Sequence, residues 1–236
     1  IIDASKDLII ADTKLGISIG CATKTKTDEN LRDILKQAEE KMYRQKLVNS
    51  RIYRELILTS MKDSLHKKSN SYINHSRKLA DLVKPLGKIL NLTSQEVKNL
   101  ELLAKHHNIG KVAIDDEILQ KTDDLTEYDK DIIKKHPEIG YRIACTLPEL
   151  VGISEYILSH HERWDGSGYP RGLVGEEIPL LSRILAIADY YISITQDRLY
   201  KKAIPKDKAI EILRSKSGTR FDPYIVDIFT NYLEGK

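Results

Sequence analysis

Five of the seven histidines in this 236-residue chain stand where an apolar residue would be expected, and that placement constrains the fold more than any other feature. His75 precedes Leu79 by four residues and Leu82 by seven. His107 follows Leu100 by seven and Leu103 by four, and His136 follows Ile132 by four and Ile133 by three. His160 follows Ile153 by seven and Ile157 by three, while His161 follows Ile157 by four. Side chains at these spacings share one face of a helix. A lone histidine on such a face is ordinarily a hydrogen-bonded core residue. Five from four helices, converging on one interior, point to a common cause. Neutral imidazole is the commonest metal ligand, and a bundle core is where facing helices assemble such sites.

Asp189 supports this reading. It lies in Arg183-Ile-Leu-Ala-Ile-Ala-Asp-Tyr-Tyr-Ile, with Leu185 four before it and Ile192 three after it. An isolated carboxylate is too costly to bury, so a buried Asp is paired or metal-bound. The competing reading is a salt bridge to Arg or Lys. His66 and His106 show no such pattern and are expected at the polar surface or in support of the site.

The expected fold is mainly α, a helical bundle over 51–236 preceded by a small α/β fragment over 1–50. In the fragment, Asp7–Ala11 and Gly16–Cys21 read as two strands around Asp12-Thr13-Lys14, followed by a helix from about Asn30 to Val48. Two strands and a helix are too little to fold alone. Ile57, Leu58 and Met61 start one helix, and another runs through His75, Leu79 and Leu82 until Pro85 and Gly87 kink or end it. Thr93-Ser94-Gln95-Glu96 has the form of a capping box opening a helix that ends near Gly110. Thr126-Glu127-Tyr128-Asp129 opens another, closed by Pro137. Further helices fit Ile153–His161, Ser182–Gln196, Lys206–Arg214 and Tyr224–Tyr232, with loops at Lys111–Leu125 and Trp164–Pro179.

Composition excludes several classes. With 41% apolar and 31% charged residues, the chain can bury a core. A net charge of +3 argues no nucleic-acid binding. Cys21 and Cys145 stand in no metal-ligand or redox spacing, which suits a reducing, cytoplasmic location. The best apolar run, Ile184–Ile194, is interrupted by Asp189, so no membrane contact is expected in this excerpt. The chain opens Ile1-Ile2 with no signal peptide and reads as a piece of something longer whose parent is open to membrane anchoring.

Several motifs carry a resemblance. His107-Asn108-Ile109-Gly110-Lys111 resembles the His-Asp-x-Gly-Lys signature of HD-domain phosphohydrolases. The run from His160-His161-Glu162 to Gly168-Tyr169-Pro170 is similar to the motif of the HD-GYP subfamily. His75-Ser76, His136-Pro137-Glu138, Gly175–Leu180 and Gly218-Thr219-Arg220-Phe221-Asp222-Pro223 follow in family order. The first fifty residues resemble the end of a GGDEF domain, in Gly16–Gly20 and Ala38–Lys46, without its signature loop.

The resemblance implies a helical HD-domain bundle hydrolysing cyclic di-GMP, to pGpG or GMP, at two divalent metal ions, iron or manganese. Carried over by position, His75, His107 and Asp189 hold one metal, His136, His160 and His161 the other, and Asn108 bridges them. Lys111 is the candidate for holding the phosphate; Arg198 and Lys201 are candidates for the second phosphate, against a reading as solvated surface bases. Tyr169 belongs to a loop at the pocket mouth, equally a docking surface for GGDEF-domain or other signalling proteins. A homodimer is left open.

The departures bear on activity. Asn108 replaces the family's bridging aspartate, which should weaken metal binding, to one occupied metal or to a water-filled substitute. Ile192 replaces another aspartate, Leu199 a proline, and Ser71 the glutamate of three-metal members, so no third metal is expected. Three readings compete: a cyclic di-GMP phosphodiesterase, a degenerate and inactive sensor or scaffold, and a phosphohydrolase for another nucleotide, against which the Gly-Tyr-Pro loop argues.

Overall fold

The computed structural model describes residues 9–10, 13–14, 19–25, 30–32, 34–39, 41–42, 71–121, 124–196 and 202–235. The chain divides into two units, Ile1–Ser60 and Met61–Lys236. In the first, β1 (Ile9–Ile10) and β2 (Thr13–Lys14) pair antiparallel, with Ile9 opposite Lys14 and Ile10 opposite Thr13. The hairpin is thus tighter than expected. Only two residues separate the paired positions, the shortest common connection, so Thr13 and Lys14 are strand rather than turn. Residues 19–21, expected in a strand, are irregular, and 16–18 lie outside the described residues. Residues 31–32, 34–39 and 41–42 are helical; Ile34 is buried, whereas Leu31 and Leu35 are exposed. The rest of that expected helix, and the one placed at Ile57–Met61, lie outside the described residues.

The second unit is helical. Its elements are α1 (Ser71–Ile89), α2 (Ser94–His106), a 3₁₀ turn at Ile109–Ala113, α3 (Asp116–Leu119), α4 (Glu127–Ile133) and α5 (His136–Thr146). There follow α6 (Ser154–Ser159), α7 (Leu180–Thr195), α8 (Lys206–Ser215) and α9 (Pro223–Glu234). The most apolar helix, α7, buries Leu181, Ile184, Leu185, Ile187, Ala188, Ile192 and Ile194. A helix apolar on nearly every side must be covered on nearly every side. α7 accordingly packs against α1, α2, α6, α8 and α9. Arg183 ties it to the start of α9 through an ion pair of 2.7 Å with the buried Asp222, which also accepts the Tyr224 N–H. Among the described residues no helix is long and apolar enough to cross a membrane.

Both capping boxes are present: Thr93 and Glu96 exchange side-chain and backbone hydrogen bonds, as do Thr126 and Asp129. Neither Pro85 nor Pro137 ends a helix. α1 runs through Pro85 to Ile89 and stops where Asn91 turns left-handed, with Leu92 N–H on the Gly87 carbonyl and Asn91 N–H on that of Lys88. This Schellman closure sets the helix end, and the packed α1–α2 pair tolerates the one bond Pro85 lacks. Pro137 does not close α4 but opens α5, a helix the periodicity had not separated. Its missing N–H falls in a first turn, where it would go unused anyway.

The 3₁₀ turn after α2 lies directly on α5. A β-carbon at Gly110 would sit 2.0 Å from the His136 carbonyl oxygen and 2.6 Å from the Gly140 nitrogen. Gly140 faces the same contact, yet its nearest obstacle, at 2.9 Å, is a side-chain methyl of Ile157. Backbone cannot step aside as a methyl can. Gly110→Ala is therefore expected to destabilise the domain by about 1–3 kcal/mol in urea titration, and Gly140→Ala by less. Equal costs would show that the 3₁₀ turn is free to move.

Candidate metal centre

The helices deliver their histidines mostly by their ends. His75 lies within α1 and Asp189 within α7, but His107 caps the end of α2, His136 begins α5, and His160 caps α6. The last carbonyls of a helix have no amide of their own to accept from. Three of them are taken by imidazole. His107 Nδ1 donates to the Ala104 carbonyl at 3.1 Å, His136 Nδ1 to Ile133 at 2.7 Å and His160 Nδ1 to Ile157 at 2.5 Å. A carbonyl only accepts, so each Nδ1 carries the proton and each Nε2 presents a lone pair.

These lone pairs gather in two sets. His136, His160 and His161 bring three ligand atoms within 4.8 Å of one another, and so do His75, His107 and Asp189. The sets adjoin where the His107 and His160 rings meet edge to face at 5.3 Å between centroids. In the second set, His75 Nε2 lies 2.6 Å from Asp189 Oδ1 and His107 Nε2 lies 3.8 Å from it. The first set shows the need for a cation most clearly. His136 Nε2 and His160 Nε2 face each other at 3.3 Å, and neither can donate because both protons are spent on carbonyls. Two opposed lone pairs in a buried site fit a positive ion between them. The donors, imidazole nitrogens and one carboxylate, suit a divalent transition metal.

Electrostatics keep these groups ready. Burial, reinforced by His160 and Lys111, pushes His136 down to about 2. Burial likewise takes His107 to about 3 despite the opposing pull of Asp189. His160 falls to about 4 and His161 well below its usual range, again chiefly through burial. Burial pushes Asp189 up, but the His75 hydrogen bond and the charges of His107, His75 and Lys111 outweigh it and keep the carboxyl ionised. The Asp189 side chain is 26% exposed, so this ligand set is open to solvent at its carboxylate.

The other expected residues divide. Lys111, half-buried in the 3₁₀ turn, has its charge felt by His107, His136, His160, His161 and Asp189, so it borders both sets. Tyr169 stacks on His161, with centroids 5.0 Å apart and rings 28° from parallel. Asn108 enters unexpectedly as a donor: its side-chain nitrogen sits 2.6 Å from His107 Nε2 and takes up that lone pair. Arg198, Leu199 and Lys201 lie outside the described residues, as does His66. His106, expected at the surface or in support, is buried, and so is Ile192. Glu162 and Arg220, which lie within the family motifs, also take part. Glu162 is buried and accepts the N–H groups of Arg171 at 2.8 Å and Leu173 at 3.1 Å, pinning the Gly- and Pro-rich loop. Arg220 lies 4.5 Å over the ring of Tyr190, next to Asp189. An acid just before a loop full of free amides was the available signal for Glu162; for Arg220 there was none.

A helical bundle that brings together a set of three histidines and a set of two histidines and an aspartate is the architecture of a metal-dependent phosphohydrolase class, and the chain belongs to the HD domain family, which matches residues 59–225. The cyclic di-GMP phosphodiesterase response regulator RpfG of Xanthomonas campestris is 44% identical over 140 residues, 58% of this chain and 37% of that protein. A cyclic di-GMP phosphodiesterase of Vibrio cholerae is 34% identical over 191 residues, 75% of this chain and 39% of its own. The 3'3'-cGAMP-specific phosphodiesterase 1 of the same organism is 37% identical over 170 residues, 71% of this chain and 39% of its own. The chain thus spans about two fifths of the length of these relatives. In fold it is similar to Bd1817 of Bdellovibrio bacteriovorus, with TM-score 0.56 and 17% identity over 90% of this chain and 75% of that one.

The depressed imidazoles give a pH signature. Above the ordinary 6.5, folded and unfolded rings are both neutral and pH has no leverage through them. Below it the unfolded chain takes up protons that the buried rings refuse. Stability of chelator-treated protein should therefore fall as pH drops from 6.5 towards 4, by up to about 1.4 kcal/mol per pH unit for each ring. Urea midpoints across that range measure it. A flat profile would mean that the rings are open to water.

Proposed function

We propose that residues 51–236 form an HD-GYP-type phosphodiesterase that hydrolyses cyclic di-GMP, to pGpG or GMP, at two divalent metal ions. In this reading His75, His107 and Asp189 hold one ion, His136, His160 and His161 the other, and position 108 bridges them. The observation that carries it is the pairing of two three-ligand sets across the His107–His160 contact. Relatives named for cyclic di-GMP support the substrate, and the cGAMP-specific relative supports cyclic dinucleotides as its class. Mixed nitrogen and oxygen donors favour iron or manganese.

Ions bound there supply Lewis-acid stabilisation of the diester and an acidified water. The chain's own residues do the rest. Carbonyl bonds hold three rings with Nε2 turned inward, and Asp189 orients His75. Lys111 offers a cation to the phosphate being cleaved, and Tyr169 walls the His161 side. We further assign residues 1–50 to the end of a GGDEF-like domain, the loop around Tyr169 to docking of GGDEF-domain or other signalling proteins, and the location to the cytoplasm; a homodimer is compatible with all of this.

A second reading, an inactive sensor that binds metal or cyclic di-GMP and signals through partners, is favoured by one observation. The Asn108 amide occupies the His107 lone pair. An amide that donates there competes with a metal for the lone pair by about 0.5–1.5 kcal/mol, and it brings no anion.

Asn108→Asp removes the competing donor and restores the charge. Metal content should rise towards two per chain, and cyclic di-GMP turnover by about an order of magnitude or more, both together. Two metals without turnover would favour the sensor reading; neither change would remove position 108 from the bridge. Lys111→Ala should weaken cyclic di-GMP binding or turnover by about 1.5–3 kcal/mol while the thermal midpoint stays within a few degrees. Unchanged affinity and rate would return Lys111 to the solvated surface.

A further inference from the structure

Among the described residues the two cations over the Tyr190 ring form no ion pair with a carboxylate, although the charge of Asp189 reaches Arg220. Tyr190 follows Asp189 on α7, and the Arg220 guanidinium over its ring feels the charge of Asp189, which belongs to one of the two ligand sets. The Arg220 guanidinium stacks over that ring at 4.5 Å and lies 5.6 Å from the ring of Phe221. The Lys216 ammonium lies over the same Tyr190 ring at 5.9 Å. Among the described residues neither side chain has a carboxylate within ion-pair distance or a hydrogen-bond acceptor. Both are half-buried. Two like charges held over one ring repel, and their aromatic contacts cancel only part of that cost.

Their position is imposed by the fold. The Trp164 N–H donates to the Arg220 carbonyl at 3.3 Å and the Asp165 N–H to the Thr219 carbonyl at 2.8 Å, so the Gly-Tyr-Pro loop and the 219–220 turn are stitched together. Phe221 is buried and its ring meets that of Tyr190 at 5.4 Å, anchoring the turn. Arg163, from the same loop, has its Nε buried without a hydrogen-bond partner. The Arg220 charge is felt by Asp189 and by Tyr169, whose ring stacks on His161, so the turn borders the ligand sets. A guanidinium held over an aromatic ring, with no acceptor among the described residues, is available to a phosphate, which it can grip through two parallel N–H bonds.

We propose that Arg220, assisted by Lys216, holds the phosphate of the cyclic dinucleotide that is not being cleaved. The proposal rests on the reading of the site as a cyclic-dinucleotide phosphodiesterase. A cyclic dinucleotide carries two phosphates. Only one of them can lie on the ligand sets at a time, and the other leaves with a charge to be met. Lys111 lies on the 3₁₀ turn after α2, whereas Arg220 and Lys216 come from the C-terminal segment between α8 and α9. Cations from two separate elements thereby border the ligand sets, one for each phosphate, and Arg220 takes the role that the family resemblance gives to Arg198 and Lys201. This also separates the proposed substrate from simple diesters, which have nothing to offer the second set.

The test uses the full chain loaded with Mn²⁺ and two substrates: cyclic di-GMP, and bis(p-nitrophenyl) phosphate, a diester with a single phosphate. In Arg220→Ala the ratio of kcat/KM for cyclic di-GMP to that for the simple diester should fall by about tenfold or more, mostly through KM. Lys216→Ala should lower it less, and Arg220→Lys should recover part, keeping the charge but losing the fork. Equal losses on both diesters, or no change in the ratio, overturn the assignment. Calorimetric binding of cyclic di-GMP separates the two layers of inference. If wild type and Arg220→Ala bind it equally, the second-phosphate site fails alone. If wild type neither binds nor cleaves it, the phosphodiesterase reading fails and takes the site with it.

Discussion

Three hydrogen bonds between imidazole Nδ1 groups and helix-end carbonyls govern the site: His107 on Ala104, His136 on Ile133 and His160 on Ile157. Each solves two problems at once. It satisfies a carbonyl that the helix leaves without an amide, and it commits the ring to the tautomer whose Nε2 is bare. A ring so held is oriented before any ligand arrives. Because the acceptor lies three residues back along the same chain, the arrangement depends on where each helix stops. Helix termination, a local matter, thus decides the direction in which ligand atoms point.

Bringing those ends together is costly. Four depressed imidazoles and an ionised Asp189 occupy a space where burial resists charge, and His136 and His160 oppose their lone pairs at 3.3 Å. The opposing stabilisation comes from elsewhere in the domain. α7 is sheathed by five other helices, and its apolar residues supply a core from which the polar centre is set apart. Gly110 and Gly140 let the 3₁₀ turn and α5 touch backbone to backbone, which carries His107 to within reach of His136 and His160. The Glu162 carboxylate then holds the loop that brings Tyr169 onto His161.

Asn108 shows how one atom changes such a centre. An aspartate at this position would only accept and would carry charge; the amide donates to His107 Nε2 instead. In the proposed two-metal reading, the residue at the bridging position therefore satisfies a lone pair that a metal would use, a reason for weaker metal binding apart from the lost charge. It leaves His136, His160 and His161 untouched, so the two ligand sets should differ in their hold on metal.

Much of this was legible in the sequence. The spacing of the histidines against Leu79, Leu103, Ile133 and Ile157 marked them as inward-facing, because the chain keeps its helical phase for about a turn past its last regular bond. The capping boxes at Thr93 and Thr126 marked two helix starts, since those contacts lie within four residues. Local hydrophobic period could not separate α4 from α5, as Pro137 reads equally as an end and a beginning. Nor could it show that Pro85 lies inside a helix, which packing against α2 sustains. The division of six ligands into two sets came from family resemblance, and their proximity required the tertiary structure, which joins residues as far apart as His75 and Asp189. Arg220 over Tyr190 belongs wholly to that second category. The sequence determines which residues face inward because that is a matter of angle along one helix; only the packed fold decides which of them meet, because that depends on helix ends brought together across the chain.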